Sequence, residues 1–227
     1  MHLYDQEADL GKIEGLFAPR WPDVFRNLAD SRRKKNLARY LAIQHLRHPS
    51  RLAHIERQNQ SMLELLSKTP EDTEKVEMQL LDGTIYTVKI ADYRNYLHDR
   101  SEREAVFLWM MRASTEDLAK ILFERKWGII ESEDPHFVTS DCPLTLSRGD
   151  SQRRVFGFRT PGTEIFFPIT PHALLVISDA WPYDSACIER TNFSKISAQS
   201  DWPFNLPQLK SASRFIFSST QTIPGIF

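Results

Sequence analysis

The feature that most constrains this chain is a change of pattern near Lys126. Before it, apolar residues recur mostly at helical spacing. After it they fall in short β-rich runs separated by Pro, Gly and Asp-Ser punctuation. Helices first and strands later predict an α+β fold, because a parallel βαβ fold needs the two to alternate. The expected architecture is a helical N-terminal half packed on a mostly antiparallel sheet formed by the C-terminal half. It is expected to be one domain over residues 1–227. Residues 1–125 form its helical region, including a hairpin near 78–90, and residues 126–227 its β-rich region. At 227 residues and 41% hydrophobic, the chain is long and apolar enough to bury a sizeable core.

Residues 4–29 have a helical pattern broken by Pro19 and Pro22. Asp30 or Ser31 supplies the short oxygen-bearing side chain that satisfies the first backbone N–H groups of a helix. That helix is predicted from about Arg32 to His48, with Leu37, Ala38, Leu41, Ala42 and His45 along one side. Pro49 clashes with a straight continuation and lacks a donor, so helix resumes at about Ser50 and runs to Leu66. Asp82-Gly83 suits a tight turn joining strands Met78–Leu81 and Thr84–Ile90. The strongest helix is 102–125. Its stretch Ala105–Met111 is apolar almost all round, which predicts a core position for Trp109. Strands are expected at Trp127–Ile130, Phe137–Thr139, Val155–Phe158, Glu164–Ile169 and Ala173–Ser178, then a short helix near Leu206–Ala212 and a last strand at Phe215–Ser218.

Composition excludes several classes. A net charge of -1 gives the whole chain no strong pull toward nucleic acid or an anionic membrane. Cys142 and Cys187 are too few for a disulfide framework or a four-cysteine zinc site, and free thiols in a reducing compartment are the simpler reading. There is no run of about 18 apolar residues. Met1–Gly11 carries acids without a basic-then-apolar signal pattern. A cytoplasmic location without a membrane partner is the expectation. With eight glycines and no Gly-x-Gly-x-x-Gly, a nucleotide-binding α/β fold is disfavoured, and no His-Glu-x-x-His or Cys-x-x-Cys points to a metal. No cofactor is identified by these patterns.

Several fragments, in order, resemble one bacterial family. They are Tyr40-Leu-Ala-Ile-Gln44-His-Leu-Arg47-His48-Pro49-Ser-Arg51, Trp127-Gly-Ile-Ile with Phe137-Val-Thr-Ser140-Asp141-Cys-Pro143, Phe167-Pro168-Ile-Thr-Pro171, and Ala212-Ser-Arg214-Phe-Ile-Phe-Ser218. They are similar to the Gln–Arg–Pro helix, the Trp and Thr-Ser-Asp-x-Pro segment, the Pro-Leu-Ser-Pro turn and the closing strand of the domain of unknown function 4238 family. That family's usual opening segment, His-aromatic-Val-Pro, has no counterpart here. The resemblance implies an organisation and brings no established activity.

Two constellations carry possible chemistry. Gln44, Arg47, His48 and Arg51 fall at i, i+3, i+4 and i+7, which share one face on a continuous helix. Guanidinium groups there offer paired donors to a phosphate or carboxylate. The structural alternative is that Arg47 ties its helix to the sheet through a carboxylate. Thr139-Ser140-Asp141-Cys142-Pro143 follows a β-like run. Short side-chain oxygens at such a place form a turn by bonding nearby backbone N–H groups. The functional alternative makes Asp141, with His48, the catalytic pair for proton transfer or metal contact, and Gln44, Arg47, Arg51 and Ser140 the binding residues. Residues 20–57 hold ten Lys/Arg against three acids, a local excess suited to an anionic ligand or nucleic acid, or simply to a solvated helix face. Three functional classes follow: an enzyme on a phosphate-bearing substrate, a non-catalytic binding module, and a structural role in which Arg47 and Asp141 form an ion pair.

Overall fold

The structure is a computed structural model that describes residue 15 and residues 30–70, 73–79, 85–147, 157–179, 189–192 and 204–219. In chain order the elements are α1 (Ser31–Leu46), α2 (Pro49–Ser67), β1 (Lys75–Gln79), β2 (Ile85–Lys89), α3 (Ile90–His98), α4 (Arg100–Glu124), β3 (Lys126–Glu131), β4 (Thr139–Ser140), β5 (Thr145–Ser147), β6 (Glu164–Thr170), β7 (Ala173–Ser178), β8 (Glu189–Asn192), α5 (Leu206–Ser211) and β9 (Ile216–Phe217). Helices dominate the first half and an antiparallel sheet the second, so the fold is α+β. Two compact units emerge: Met1–His48 with Ala113–Phe227, and Pro49–Arg112. No helix among the described residues is long and apolar enough to cross a membrane.

The first unit is organised by a sheet of order β5-β6-β7-β3-β8. Its neighbours are antiparallel except for β3 and β8, which run parallel. Alternation along each strand sends side chains to opposite faces. Trp127, Ile129, Ile165, Phe167, Leu175 and Ile177 meet Leu37, Ala38, Leu41 and Ala42 of α1 and Leu118, Ala119 and Leu122 of α4. Ala38 and Ala42, one turn apart, keep α1 narrow on its buried side. On the opposite face Ile130, Phe166, Leu174 and Val176 pack with Phe137 and Phe204. A fully buried Leu or Ile contributes roughly 1.5–3 kcal/mol, so these two layers dominate the unit's stability.

Polar contacts fix the edges of this core. The Asp30 carboxylate accepts the Arg32 N–H at 2.9 Å and caps α1. The Trp127 indole donates at 2.8 Å to the Leu122 carbonyl in the last turn of α4, which the Arg125 N–H also reaches at 3.3 Å. Lys34 donates to the Arg125 carbonyl at 3.0 Å, with its ammonium over the rings of Phe123 and Trp127. Arg125, itself buried, donates to the carbonyls of Thr163 and Thr160 and pairs with Asp179 at 3.2 Å. The carbonyls it grips belong to the turn Thr160-Pro161-Gly162-Thr163, closed by the Thr163 N–H on Thr160 O. Proline at the second position and glycine with φ 75° at the third are what that turn type requires.

The second unit has a small core of Leu66, Ile90 and Leu97, packed with Met62, Leu63, Tyr93 and Tyr96 of α2 and α3. β1 and β2 pair antiparallel from Lys75↔Lys89 to Gln79↔Ile85. Asp99 accepts the N–H groups of Ser101 and Glu102 and so starts α4.

The expectation that Trp109 is core is corrected here. Trp109 is 65% exposed, with Val106 and Met110 also exposed, while Met111 is buried. Positions 106, 109 and 110 share one helix face, and packing covers a different face of this stretch. Composition shows that a helix is apolar all round but not which sides find a neighbour. The elements α3, β5 and β8 are also present without having been expected from the residue pattern. Residues 4–29 apart from Gly15, the Asp82-Gly83 turn, Val155-Phe156, Cys187 and Trp202 lie outside the described residues.

Candidate functional site

The break expected at Pro49 is present and falls within the stretch that carries Gln44, Arg47, His48 and Arg51. α1 ends at Leu46; Arg47 is its C-cap residue with φ -82° and ψ 0°, and its N–H bonds to Ile43 O at 2.9 Å. Pro49 opens α2. The residue before a proline is biased away from helical geometry, and a proline is tolerated at a first helical position, so the break falls at His48. Gln44 remains on α1 and partly buried, Arg47 is exposed at the carboxyl end of α1, and His48 is 3% exposed. Arg51 is exposed on α2 and belongs to the second unit. A cation at the end of α1 complements the negative end of the helix dipole.

Ser140 and Asp141 stand where β4 ends. β4 pairs antiparallel with β9 through Thr139↔Phe217 and Ser140↔Ile216, and the Asp141 N–H bonds to Phe215 O. The turn expected from the short side chains is present. The Ser140 hydroxyl accepts the Cys142 N–H at 3.2 Å, and lies 3.0 Å from the Cys142 carbonyl and 2.8 Å from Gln208 Oε1. Asp141 reaches the other way. Its Oδ1 accepts the Ser213 N–H and its Oδ2 the Arg214 N–H, both at 2.9 Å.

Burial works to raise the Asp141 pKa. The N–H groups of Ser213 and Arg214, then the charge of His48 and the Phe215 backbone, outweigh it and hold the carboxyl below its usual value. The structure thus brings Asp141 within the electrostatic reach of His48. The hydrogen bonds described for the carboxylate come from these N–H groups, and His48 acts on it through its charge.

Two residues outside the expected constellations hold the segment in place. Gln208 is fully buried in α5; its Nε2 donates to Pro143 O at 2.7 Å and approaches Thr145 Oγ1 at 3.4 Å. Asn205 accepts the Val138 N–H at 3.1 Å and donates to His136 O at 2.9 Å. The signal that could have found them was a pair of amides three residues apart around Leu206-Pro207, where a helix begins. Buried amides are found where both ends of the amide are bonded, and these two bond the backbone on either side of β4.

The basic tract is partly consumed inside the fold. Arg33 pairs with Asp30, Arg39 with Glu116 at 2.9 Å, Lys34 sits against Arg125 and the aromatic rings, and Arg57 Nε bonds to Ala53 O. Burial also lowers the Lys34 pKa. Among the described residues no three His, Cys, Asp or Glu side chains converge as a metal site requires.

With this geometry in hand, comparison supplies the family. A family model described as "Protein of unknown function (DUF4238)" matches residues 2–222. The chain belongs to that family. No curated protein and no solved structure is significantly similar to it. The DUF4238 match covers both the α1 end and the Ser140–Asp141 turn, so the candidate residues lie inside the family's own extent.

Proposed function

We propose that this DUF4238 chain is a bacterial, cytoplasmic, non-catalytic binding protein. In this reading its ligand is anionic, either phosphate-bearing or a nucleic acid, and is contacted by Arg47 with Gln44 at the carboxyl end of α1. Ser140 and Asp141 hold the fold together. The observation that carries the reading is the double engagement of Asp141 by backbone N–H groups beside a Ser140 hydroxyl bonded to Gln208 and Cys142. A carboxylate and a hydroxyl so committed are poorly placed to exchange protons with a substrate. Arg51 is left out because it stands on α2, in the second unit.

The test pairs Asp141→Asn with Arg47→Ala. Asp141→Asn should lower stability at pH 7 by about 1 kcal/mol in urea unfolding, the scale of one hydrogen bond, because an amide nitrogen cannot accept the second N–H. Because the folded-state pKa is depressed, the stabilisation is present above the carboxyl's unfolded pKa and is lost as pH falls through the folded one. Arg47→Ala should weaken binding of a radiolabelled oligonucleotide and reduce its salt dependence, with little change in stability. Loss of binding or turnover in Asp141→Asn at unchanged stability would reject the proposal.

A second reading has one observation in its favour, the electrostatic contact between His48 and Asp141. It makes them a proton-transfer pair acting on a phosphate-bearing substrate. It requires turnover of a phosphodiester by the wild-type chain that is abolished in both His48→Ala and Asp141→Asn.

A further inference from the structure

Within the second unit, α2 and α3 enclose a groove of about 580 Å³ lined by His54, Arg57, Gln58, Asn59, Ser61, Met62, Leu65 and Tyr93. Its size falls in the range of about 300–1,000 Å³ common to small-molecule sites. Positions 54, 57, 58, 61, 62 and 65 recur at helical spacing, so the groove runs along one side of α2. Its chemistry changes along that line. The amino-terminal end carries an imidazole, a guanidinium, amides and a hydroxyl; the carboxyl-terminal end carries Met62, Leu65 and the ring of Tyr93. No carboxylate is among these lining residues, although Glu56 and Glu64 stand on the same helix.

Two further details mark the groove as a place for a ligand. The Nδ2 of Asn59 is buried and has no hydrogen-bond partner among the described residues. A buried amide donor left unbonded is uncommon, and a turn of the Asn59 side chain, which lines the groove, would bring it to an acceptor bound there. At the other end Leu65 is 60% exposed, an apolar surface that a chain lying in the groove would cover. Arg57 Nε bonds to the Ala53 carbonyl, which steadies its guanidinium against the helix.

We propose that this groove binds an anionic amphiphile, its phosphate or carboxylate head at Arg57, His54 and Asn59 and its hydrocarbon chain along Met62, Leu65 and Tyr93. The proposal does not depend on the reading given for the α1 end. A guanidinium and an imidazole recognise a charged head, whereas a neutral head leaves the guanidinium's preference for anionic oxygens unused. The hydrocarbon adds apolar burial that inorganic phosphate cannot supply.

The experiment is calorimetric titration of the full chain with dodecyl phosphate, dodecanoate, dodecyl maltoside and inorganic phosphate, each below its aggregation threshold. Both anionic dodecyl compounds should bind more tightly than the maltoside and the phosphate ion, and whichever is tighter names the head group. Arg57→Gln should weaken them about tenfold, the scale of one charge-assisted hydrogen bond. Leu65→Ser should weaken both while leaving any response to inorganic phosphate alone. Lys120→Gln, on exposed α4 surface in the first unit, should change nothing. Equal binding of the maltoside, affinity indifferent to Arg57→Gln, or no binding of either anion would overturn the proposal.

Discussion

The two units solve the same problem unequally. In the first, a five-stranded sheet is covered on both faces, and its strand ends and turns are gripped by buried polar side chains such as Arg125, Asn205 and Gln208. In the second, a small cluster around Leu66, Ile90 and Leu97 holds α2 against α3, while Leu65, Ile85, Val106, Trp109 and Met110 stay exposed. A sheet offers two faces to cover and so gathers layers. A helix pair offers one seam and leaves apolar surface outside it.

The largest expected difference between the units lies in core deletions. Leu122→Ala, at a fully buried site between α1 and the sheet, should cost about 3–5 kcal/mol in urea unfolding; Leu66→Ala in the smaller cluster should cost about 2. Equal losses would erase the contrast. Next comes Gln208→Ala. It strips partners from the Ser140 hydroxyl and the Pro143 carbonyl at once, and should cost about 3 kcal/mol by thermal unfolding. A cost below about 1 kcal/mol would mean that water replaces the amide readily.

A pH effect of smaller size follows from Glu164 at the start of β6. Burial pushes its pKa up to about 7. The folded state therefore holds a proton that the unfolded chain releases near 4.5, and stability falls as pH rises between those two values. Glu164→Gln should flatten that part of the stability curve, while a slope unchanged in the variant would assign it to another group. The smallest effect is expected for Trp109→Gln. At 65% exposure it should change stability by no more than about 0.5 kcal/mol, whereas a core tryptophan would cost several.

Much of the fold was legible in the sequence because periodicity reports on which sides of an element are apolar. The α1 face of Leu37, Leu41 and His45, the runs that became β3, β6 and β7, and the short α5 helix all follow that rule. Trp109 shows its boundary: an apolar surface does not announce whether anything covers it. At the candidate site, the Ser140 turn was legible because its bonds are local, two residues apart. The hold of Gln208 on Ser140 and of residues 213–214 on Asp141 spans 68 to 73 positions, and no local pattern encodes such a meeting. The helix break at Pro49 was legible because a proline interrupts a straight helix wherever it stands inside one.

That long reach has a bearing on synthesis. The backbone around residues 136–145 leaves the ribosome well before the amides at 205 and 208 and the N–H groups at 213 and 214 that clasp it. Until they emerge, Phe137 and the aromatic face beneath it wait uncovered, and closing so wide a loop is among the slower events available to a nascent chain. A polypeptide halted near residue 200 would thus carry a finished helical layer on one side of its sheet and a sticky, open surface on the other.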